Sequence, residues 1–154
     1  MEQKKTAYIA PGAVVVGDVV LEEDVNIWYN AVLRGDSGTI HIGRGTNIQD
    51  NCVVHERTTI GQYCTVGHGA IVHGCTIGNN SMVGMGAIVL TGAVIGENCL
   101  IGAGALVTGK MNAPDGSLIL GNPATVVKPV TEAQIEEIRS DAQNYIRLAR
   151  ATLK

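Results

Sequence analysis

Phenylalanine is absent from this sequence of 154 residues, and other aromatic residues are scarce: one tryptophan and four tyrosines. Even so, 45% of the residues are hydrophobic and 20 are glycine. A core without large aromatic side chains must be narrow, because Val, Ile, Leu and Ala alone have to fill it. Such a composition is unusual for a layered domain and indicates a thin core.

Concentrated positive charge and long apolar runs are also missing. The formal net charge is −3, and the only adjacent basic pair is Lys4-Lys5, so we expect no binding to nucleic acid or to an anionic membrane. No apolar run approaches the length that spans a bilayer, and the opening residues MEQKKTAYIA lack the apolar core of a signal peptide. We therefore expect a cytoplasmic protein.

Paired cysteine motifs are absent as well. The four cysteines are Cys52, Cys64, Cys75 and Cys99, and no two form a C-x-x-C pair. In a reducing compartment, this spacing predicts small buried packing residues rather than disulfides.

The sequence does contain an internal repeat of six residues. From Ile60 it reads IGQYCT, VGHGAI, VHGCT, IGNNSM, VGMGAI, VLTGAV, IGENCL and IGAGAL, with an aliphatic residue opening each unit. The same register runs back through Val54, Ile48 and Ile42, and with looser matching through Leu33, Ile27, Leu21, Val15 and Ile9. Two irregularities interrupt the repeat: about three extra residues around 37–39, and one missing residue just after His73.

A period of six does not match the helical period of 3.6, but it suits short strands separated by tight turns. Three such strands make a triangular coil of about 18 residues, and neighbouring coils stack about 4.8 Å apart. The repeat covers roughly residues 8–110. It predicts an all-β fold, a parallel β-helix with ladders of aliphatic side chains inside.

The end of the chain has a different pattern. We expect residues 1–129 to form the β-helix domain with a connecting segment at 112–129, and residues 130–154 to form a C-terminal α-helix. Thr131 and Gln134 form a predicted capping box. An apolar stripe at helical spacing comprises Ile135, Ile138, Ala142, Tyr145 and Ala149. The helix should pack along the β-helix or on a neighbouring subunit, in a structural role.

Three histidines are candidate metal ligands. His55 and His73 each follow an inward aliphatic residue and are 18 residues apart, so they should lie directly above one another outside the prism. Stacked imidazoles can bring their nitrogens to the roughly 3.4 Å separation that tetrahedral zinc needs. His68 precedes His73 by five residues, nearly one face away, so a neighbouring subunit would have to supply it. His41 lies outside this phase and is interpreted as a surface residue.

The predicted metal site is therefore shared, with His55 and His73 from one subunit and His68 from the next. Three protein ligands leave a position for water, which is typical of catalytic rather than structural zinc. The alternative is that these are unrelated surface histidines, but their one-coil and cross-face spacings make coincidence less attractive.

Charged and amide residues cluster near these histidines in the sequence. Gln49 and Asp50 lie one strand before His55, and Arg34 and Asp36 lie in the segment AVLRGD. An arginine between carboxylates can brace an interface or orient metal ligands, or it can form surface ion pairs of little energetic value. Spacing alone leaves both interpretations open. The extra residues near 37–39 also leave open which position Arg34 takes in the repeat relative to the residues that follow.

Together, these motifs resemble the γ-class carbonic anhydrase family, in particular its shorter bacterial branch. The resemblance runs along essentially the whole chain. It is carried by Arg34-Gly35-Asp36, Asn47-Ile48-Gln49-Asp50, His55, Gly67-His68-Gly69-Ala70, Val72-His73-Gly74 and Gly121-Asn122-Pro123-Ala124. The hexapeptide repeat by itself is less specific, because many acyltransferases share it.

The resemblance implies a left-handed β-helix, a homotrimer with interfacial metal sites, and reversible hydration of CO2 to bicarbonate by metal-bound hydroxide. Zn2+ is the implied metal, and Fe2+ or Co2+ are alternatives because three imidazoles suit each of them. By the same resemblance, Gln49 hydrogen-bonds the metal-bound water and Asn47 lies near the substrate pocket. The implied interface network consists of Arg34, Asp36 and Asp50.

The sequence departs from the best-known family members at two acidic positions. Those members carry an acidic loop soon after the first ligand, with a glutamate that shuttles protons, whereas this chain runs from His55 directly into the next repeat. Ser37 stands where those members have another glutamate. Glu56 is expected to be a weak substitute, because adjacent strand residues point to opposite faces. Metal binding is thus better supported than fast CO2 hydration.

Three other functions stay open from the sequence. A hexapeptide acyltransferase would use a single histidine as general base, although this does not explain a stacked pair plus a third histidine. A metal-dependent thioesterase acting on acyl-CoA would use the same metal site. A catalytically inactive metal-binding trimer would account for the missing proton shuttle.

Overall fold

The computed structural model describes residues 1–153, which form a β-helix followed by one α-helix, α1 (Glu132–Thr152). The strands are β1 (Glu2–Gln3), β2 (Tyr8–Ile9), β3 (Val14–Leu21), β4 (Asn26–Ile27), β5 (Val32–Ile42), β6 (Asn47–Ile48), β7 (Val53–His55), β8 (Thr58–Ile60), β9 (Thr65–Val66), β10 (Ile71–His73), β11 (Thr76–Ile77), β12 (Met82–Val83), β13 (Ile88–Val89), β14 (Val94–Ile95), β15 (Leu100–Ile101), β16 (Leu106–Val107), β17 (Asn112–Ala113), β18 (Ser117–Gly121) and β19 (Ala124–Pro129). The predicted all-β architecture with a C-terminal helix is confirmed.

The strands line three faces of a left-handed parallel β-helix of about seven turns. The first face contains β7, β10, β13 and β16 together with the first halves of β3 and β5, and the second face contains β8, β11, β14 and β17 with their second halves. The third face contains β2, β4, β6, β9, β12, β15 and β18. Corresponding residues on most neighbouring coils are 18 apart, as Met82 and Leu100 are, which matches the predicted coil length.

Aliphatic side chains fill the narrow interior in three columns, one from each face. On the third face, the column is Ile27, Ile48, Val66, Val83, Ile101 and Ile119, all essentially inaccessible to solvent. Coils approach so closely at some corners that a side chain would not fit: a Cβ on Gly78 would come within 2.5 Å of the Gly96 carbonyl carbon. All four cysteines are free and buried, which confirms their predicted packing role.

The three extra residues near 37–39 enlarge a single coil. Gly17 pairs with Gly35, which is 18 residues further on, but Val19 pairs with Ile40, which is 21 residues further on. The insertion therefore lies between Gly35 and Ile40, after Arg34. Arg34 therefore lies before the insertion and is the register partner of His55.

The missing residue after His73 shortens the corner between the first and second faces. His73 pairs with His55 at a spacing of 18, whereas Thr76 pairs with Thr59 at a spacing of 17. Both predicted irregularities are thus confirmed. The insertion is a register shift within the β3–β5 pairing, and the deletion lies in the turn between β10 and β11.

The prediction of a connecting segment at 112–129 was wrong in part. β17 and β18 continue the β-helix, with Leu118 and Ile119 pairing with Leu100 and Ile101, and β19 then pairs antiparallel with β18. The repeat was missed here because its inward residue is Ala113, and proline replaces the glycine that normally follows.

α1 packs on the third face of its own β-helix, against β4, β6 and β9. The predicted capping box between Thr131 and Gln134 is present. The buried helix residues are Ile138, Ala142, Ile146 and Ala149, so the predicted stripe missed Ile146 and included the half-buried Ile135 and Tyr145. Within residues 1–153, no helix has the length and apolar character needed to cross a membrane. A cytoplasmic location stays a prediction.

Candidate metal centre

Arg34, His55 and His73 occupy equivalent positions on three successive coils of the first face. We call these three residues the histidine column. Each follows a buried aliphatic residue, so its own side chain points outward. The imidazole rings of His55 and His73 have centroids 5.3 Å apart and planes inclined at 66°. The predicted stacking of these two histidines is confirmed.

Asp36 links the first two members of the histidine column. One carboxylate oxygen lies 2.9 Å from His55 Nε2 and the other accepts a 2.6 Å hydrogen bond from Arg34 Nη1. The hydrogen bond with His55 and the neighbouring Arg34 together hold the pKa of Asp36 below its ordinary value. Ser37 Oγ lies 3.4 Å from the same His55 nitrogen. Asp36 therefore orients the His55 ring.

Thr91 orients the other histidine. Its Oγ1 lies 2.8 Å from His73 Nδ1, so that Nε2 is the nitrogen left for a metal. Our sequence analysis missed Thr91. Its spacing could have revealed it, because it follows His73 by 18 residues, one coil.

Glu56 lies beside the two stacked imidazoles. One ligand atom from each of His55, Glu56 and His73 can be chosen so that all three atoms lie within 4.8 Å of one another. The expectation that Glu56 would point to the opposite face was wrong. β7 ends at His55, and Glu56 has a left-handed backbone with φ +65°, so strand alternation does not apply to it.

A second group of predicted site residues follows or belongs to strands of the third face: Asn47, Gln49, Asp50 and His68. We call these four residues the amide cluster. Asn47 is fully buried and donates to Thr65 Oγ1 over 2.9 Å. Gln49, also buried, donates from Nε2 to Asn47 Oδ1 over 3.1 Å. These bonds hold both amides in fixed orientations.

His68 is oriented by the carboxylate one coil before it. Its Nδ1 lies 3.0 Å from Asp50 Oδ1, and since a carboxylate only accepts, Nδ1 is the donor and Nε2 is the nitrogen left for a metal. A histidine that donates to a carboxylate in this way is the common arrangement around protein-bound metals.

A mainly apolar cavity of about 390 Å3 lies beside the amide cluster. Its lining includes Gln49 and His68, the apolar residues Met82, Leu100 and Ile101, and Tyr145 from α1. Burial and the nearby carboxylates of Asp50 and Asp141 raise the pKa of Tyr145, so its hydroxyl stays protonated.

Within one chain, the structure does not bring the two groups together. His68 is not part of the close set formed by His55, Glu56 and His73, and it lies on another side of the prism. His41 is on the second face, 3.2 Å from Glu22, away from both groups.

The repeat and its coiled fold define a class of protein. Residues 39–74 and 74–109 match the family described as "Bacterial transferase hexapeptide (six repeats)". The crystal structure of a hexapeptide transferase family protein from Anaplasma phagocytophilum superposes with a TM-score of 0.95 at 46% identity, covering 99% of this chain and 92% of that one. The chain is thus a hexapeptide-repeat β-helix protein.

Similarity to named proteins narrows this class to a family. A protein of Methanocaldococcus jannaschii named "Probable carbonic anhydrase" is 51% identical over 149 residues, which cover 94% of each chain. "Gamma carbonic anhydrase 2, mitochondrial" of Arabidopsis thaliana is 42% identical over 155 residues, and the chain spans 56% of that protein's length. The chain belongs to the γ-carbonic anhydrase-like family.

Proposed function

We propose that the chain is a subunit of a homotrimeric, metal-dependent lyase that reversibly hydrates CO2 to bicarbonate. His55 and His73 of one subunit and His68 of the next would hold the metal. One observation carries this proposal: two oriented imidazoles stand in register on the first face, while the third stands oriented on a different side of the same chain.

The surface around the histidine column supports assembly. Four exposed apolar side chains flank it on the first face: Val14, Val16, Val53 and Leu90. Contiguous exposed apolar surface commonly marks a protein interface. A second copy, rotated about a threefold axis, would cover this surface and present its His68 to the column, and three equal interfaces would close the ring.

The available donors suit a divalent transition metal. Three imidazoles, each held by a hydrogen bond to Asp36, Asp50 or Thr91, are ligands that Zn2+, Fe2+ and Co2+ all accept. When bound, Zn2+ lowers the pKa of a coordinated water towards neutrality and so supplies a nucleophile.

The protein's own contribution is to orient the reactants. Asn47 engages Gln49 Nε2, so Gln49 Oε1 is the atom that can accept a hydrogen bond from the nucleophilic water and fix its lone pair. The apolar cavity next to His68 and Gln49 admits CO2, which is itself apolar, and disfavours bulk water.

Proton removal is the step for which this chain is least equipped. Ser37 lies next to His55, and a serine hydroxyl is a poor base near neutral pH. CO2 hydration measured by stopped flow should therefore increase strongly with the concentration of added buffer. A rate that does not depend on buffer would contradict this account of the proton path.

The test of the site compares metal content and oligomeric mass of wild type, His68→Ala and His73→Ala, purified without chelator. His41→Ala is the matched control, because His41 hydrogen-bonds Glu22 on another face. We expect about one metal ion per chain in trimers of wild type and control, and loss of metal in both site variants. A wild-type trimer that cannot be loaded with metal would refute the proposal.

A hexapeptide acyltransferase is the second candidate. The observation favouring it is the cavity beside His68, which at about 390 Å3 is far larger than CO2 and is mostly apolar. An acyl chain would fit such a cavity, with His68 as general base. Transfer from acyl-CoA that persists in metal-free protein and is lost in His68→Ala would establish this activity instead.

A further inference from the structure

The corner after each stacked histidine adopts a left-handed backbone in both coils. Gly74 follows His73 with φ +63°, and Glu56 follows His55 with φ +65°. Glycine adopts this conformation without strain, whereas a residue with a Cβ does so at a cost of order 1 kcal/mol. The coil that contains His55 therefore has a glutamate at the position where the next coil, which contains His73, has glycine.

Glutamate is also unusual at such positions within this chain. Among residues 1–153, the non-glycine residues with positive φ are mainly Asn or Asp: Asp24, Asn30, Asn51, Asn80 and Asn98. The exceptions are Glu56 and Tyr63. Strained backbone concentrates at functional sites, where the surrounding structure holds it in place.

The left-handed turn determines where the carboxylate lies. It brings a Glu56 oxygen within 4.8 Å of both imidazole donors instead of sending it to the opposite face. All three residues are only partly exposed. Small side-chain rotations can close such separations to the ligand distances of a transition metal.

We propose that Glu56 is itself a metal ligand, so that a single subunit contributes two imidazoles and one carboxylate. This rests on the proposed function only in that the metal is the one bound by His55 and His73. Two histidines and a carboxylate on one side of a metal form the set that non-haem Fe(II) proteins use, with other positions left open.

With Glu56 as a fourth protein ligand, the identity of the metal decides whether a coordination position is left for water. With His68 from a neighbouring subunit, Glu56 would complete a tetrahedral Zn2+ site and leave no open position. A metal with five or six ligands, such as Fe2+ or Co2+, would keep open positions beside the same four residues. Glu56 thereby favours these ions for any activity that requires bound water.

The experiment measures Co2+ binding to metal-free trimers by chelator competition and by the visible absorption spectrum of the bound ion. Glu56→Gln keeps the size of the side chain and removes the carboxylate. Glu56→Gly removes the side chain and also the strain of a left-handed backbone at a residue with a Cβ. Glu23→Gln, an exposed turn glutamate on another corner, is the control. His73→Ala reports separately on the histidine site.

We expect Glu56→Gln and Glu56→Gly to weaken Co2+ binding at least about tenfold, since altering groups merely behind a ligand costs that much. Both should alter the Co2+ spectrum, and metal-free Glu56→Gly should melt no lower than wild type. If both Glu56 variants keep the wild-type affinity and spectrum while His73→Ala loses binding, the role of Glu56 is refuted and the histidine site stands. Failure of wild type to bind Co2+ would overturn the metal site as well.

Discussion

His55 and His73 are register partners on β7 and β10, and their ring centroids are 5.3 Å apart on the outside of the prism. Asp36 hydrogen-bonds the His55 ring and Thr91 hydrogen-bonds the His73 ring, so each ring is held in its own orientation. No further imidazole joins them from residues 1–153 of the same chain. In the proposed trimer, His68 of a neighbouring subunit supplies the third imidazole.

Mixing two defective variants should restore metal binding. His73→Ala retains His68, and His68→Ala retains His55 and His73, so each mixed trimer contains one complete site if ligands are shared across subunits. We expect differently tagged, co-expressed chains purified through both tags to contain metal, although each variant alone contains none. Metal analysis of the doubly purified trimer measures this.

The matched control mixes His73→Ala with His55→Ala. Both substitutions damage the same half-site, so no combination of these chains assembles a complete set. Equal metal content in the two mixtures would contradict a shared site.

Asp50 should matter through His68. Asp50→Asn keeps a hydrogen-bond acceptor near His68 Nδ1 but removes its charge, which makes the ring a weaker ligand. We expect metal affinity to fall about 10- to 100-fold with the trimer intact. Chelator competition provides the measurement, and Asp141→Asn, from the wall of the same cavity, serves as control. An equal loss in both variants would point to the cavity rather than to His68.

The stability of the β-helix should depend on its inward columns. Ile95 is 1% exposed and its strand neighbour Val94 is 45% exposed, so β14 offers a matched pair. Ile95→Ala should cost about 2–5 kcal/mol because it leaves a cavity in a narrow core. Val94→Ala should change the free energy of unfolding by about 0.5 kcal/mol or less. Denaturant unfolding compares them, and similar losses would mean that the core is not close-packed at Ile95.

The buried cysteines should be unreactive in the folded protein. Burial raises the pKa of Cys52 and Cys64 to about 11 and that of Cys75 to about 12. These thiols therefore stay protonated at pH 8, and iodoacetamide should modify them only after denaturation. Rapid labelling of the native protein, followed by mass spectrometry, would show that the interior opens.

The same shifts predict the direction of alkaline unfolding. An unfolded thiol loses its proton near its ordinary pKa of 9.0, whereas the folded thiols retain theirs to about 11 or 12. The folded state thus binds more protons in this range, and its stability falls as the pH rises above 9. Replacing Cys75 with alanine should reduce that slope in denaturant titrations between pH 8 and pH 10.

Much of the site was predictable because one coil has a constant length. The 18-residue spacing of His55 and His73 sufficed to predict their contact, and the same spacing would have revealed Thr91. Arg34 was different. Its register with His55 depends on which side of it the extra residues fall, and a repeat count does not distinguish the two sides.

The six-residue period and the aliphatic residues that mark it determined the coil, its narrow core and the outward position of the histidines, because inward and outward positions alternate regularly along a strand. Only the tertiary structure decided what happens at the corners, where that regularity stops. There the backbone turns Glu56 towards the imidazoles, and the continuing stack of coils draws residues 112–121 into the β-helix. Corner conformation depends on the coils above and below, which no local pattern of polarity records.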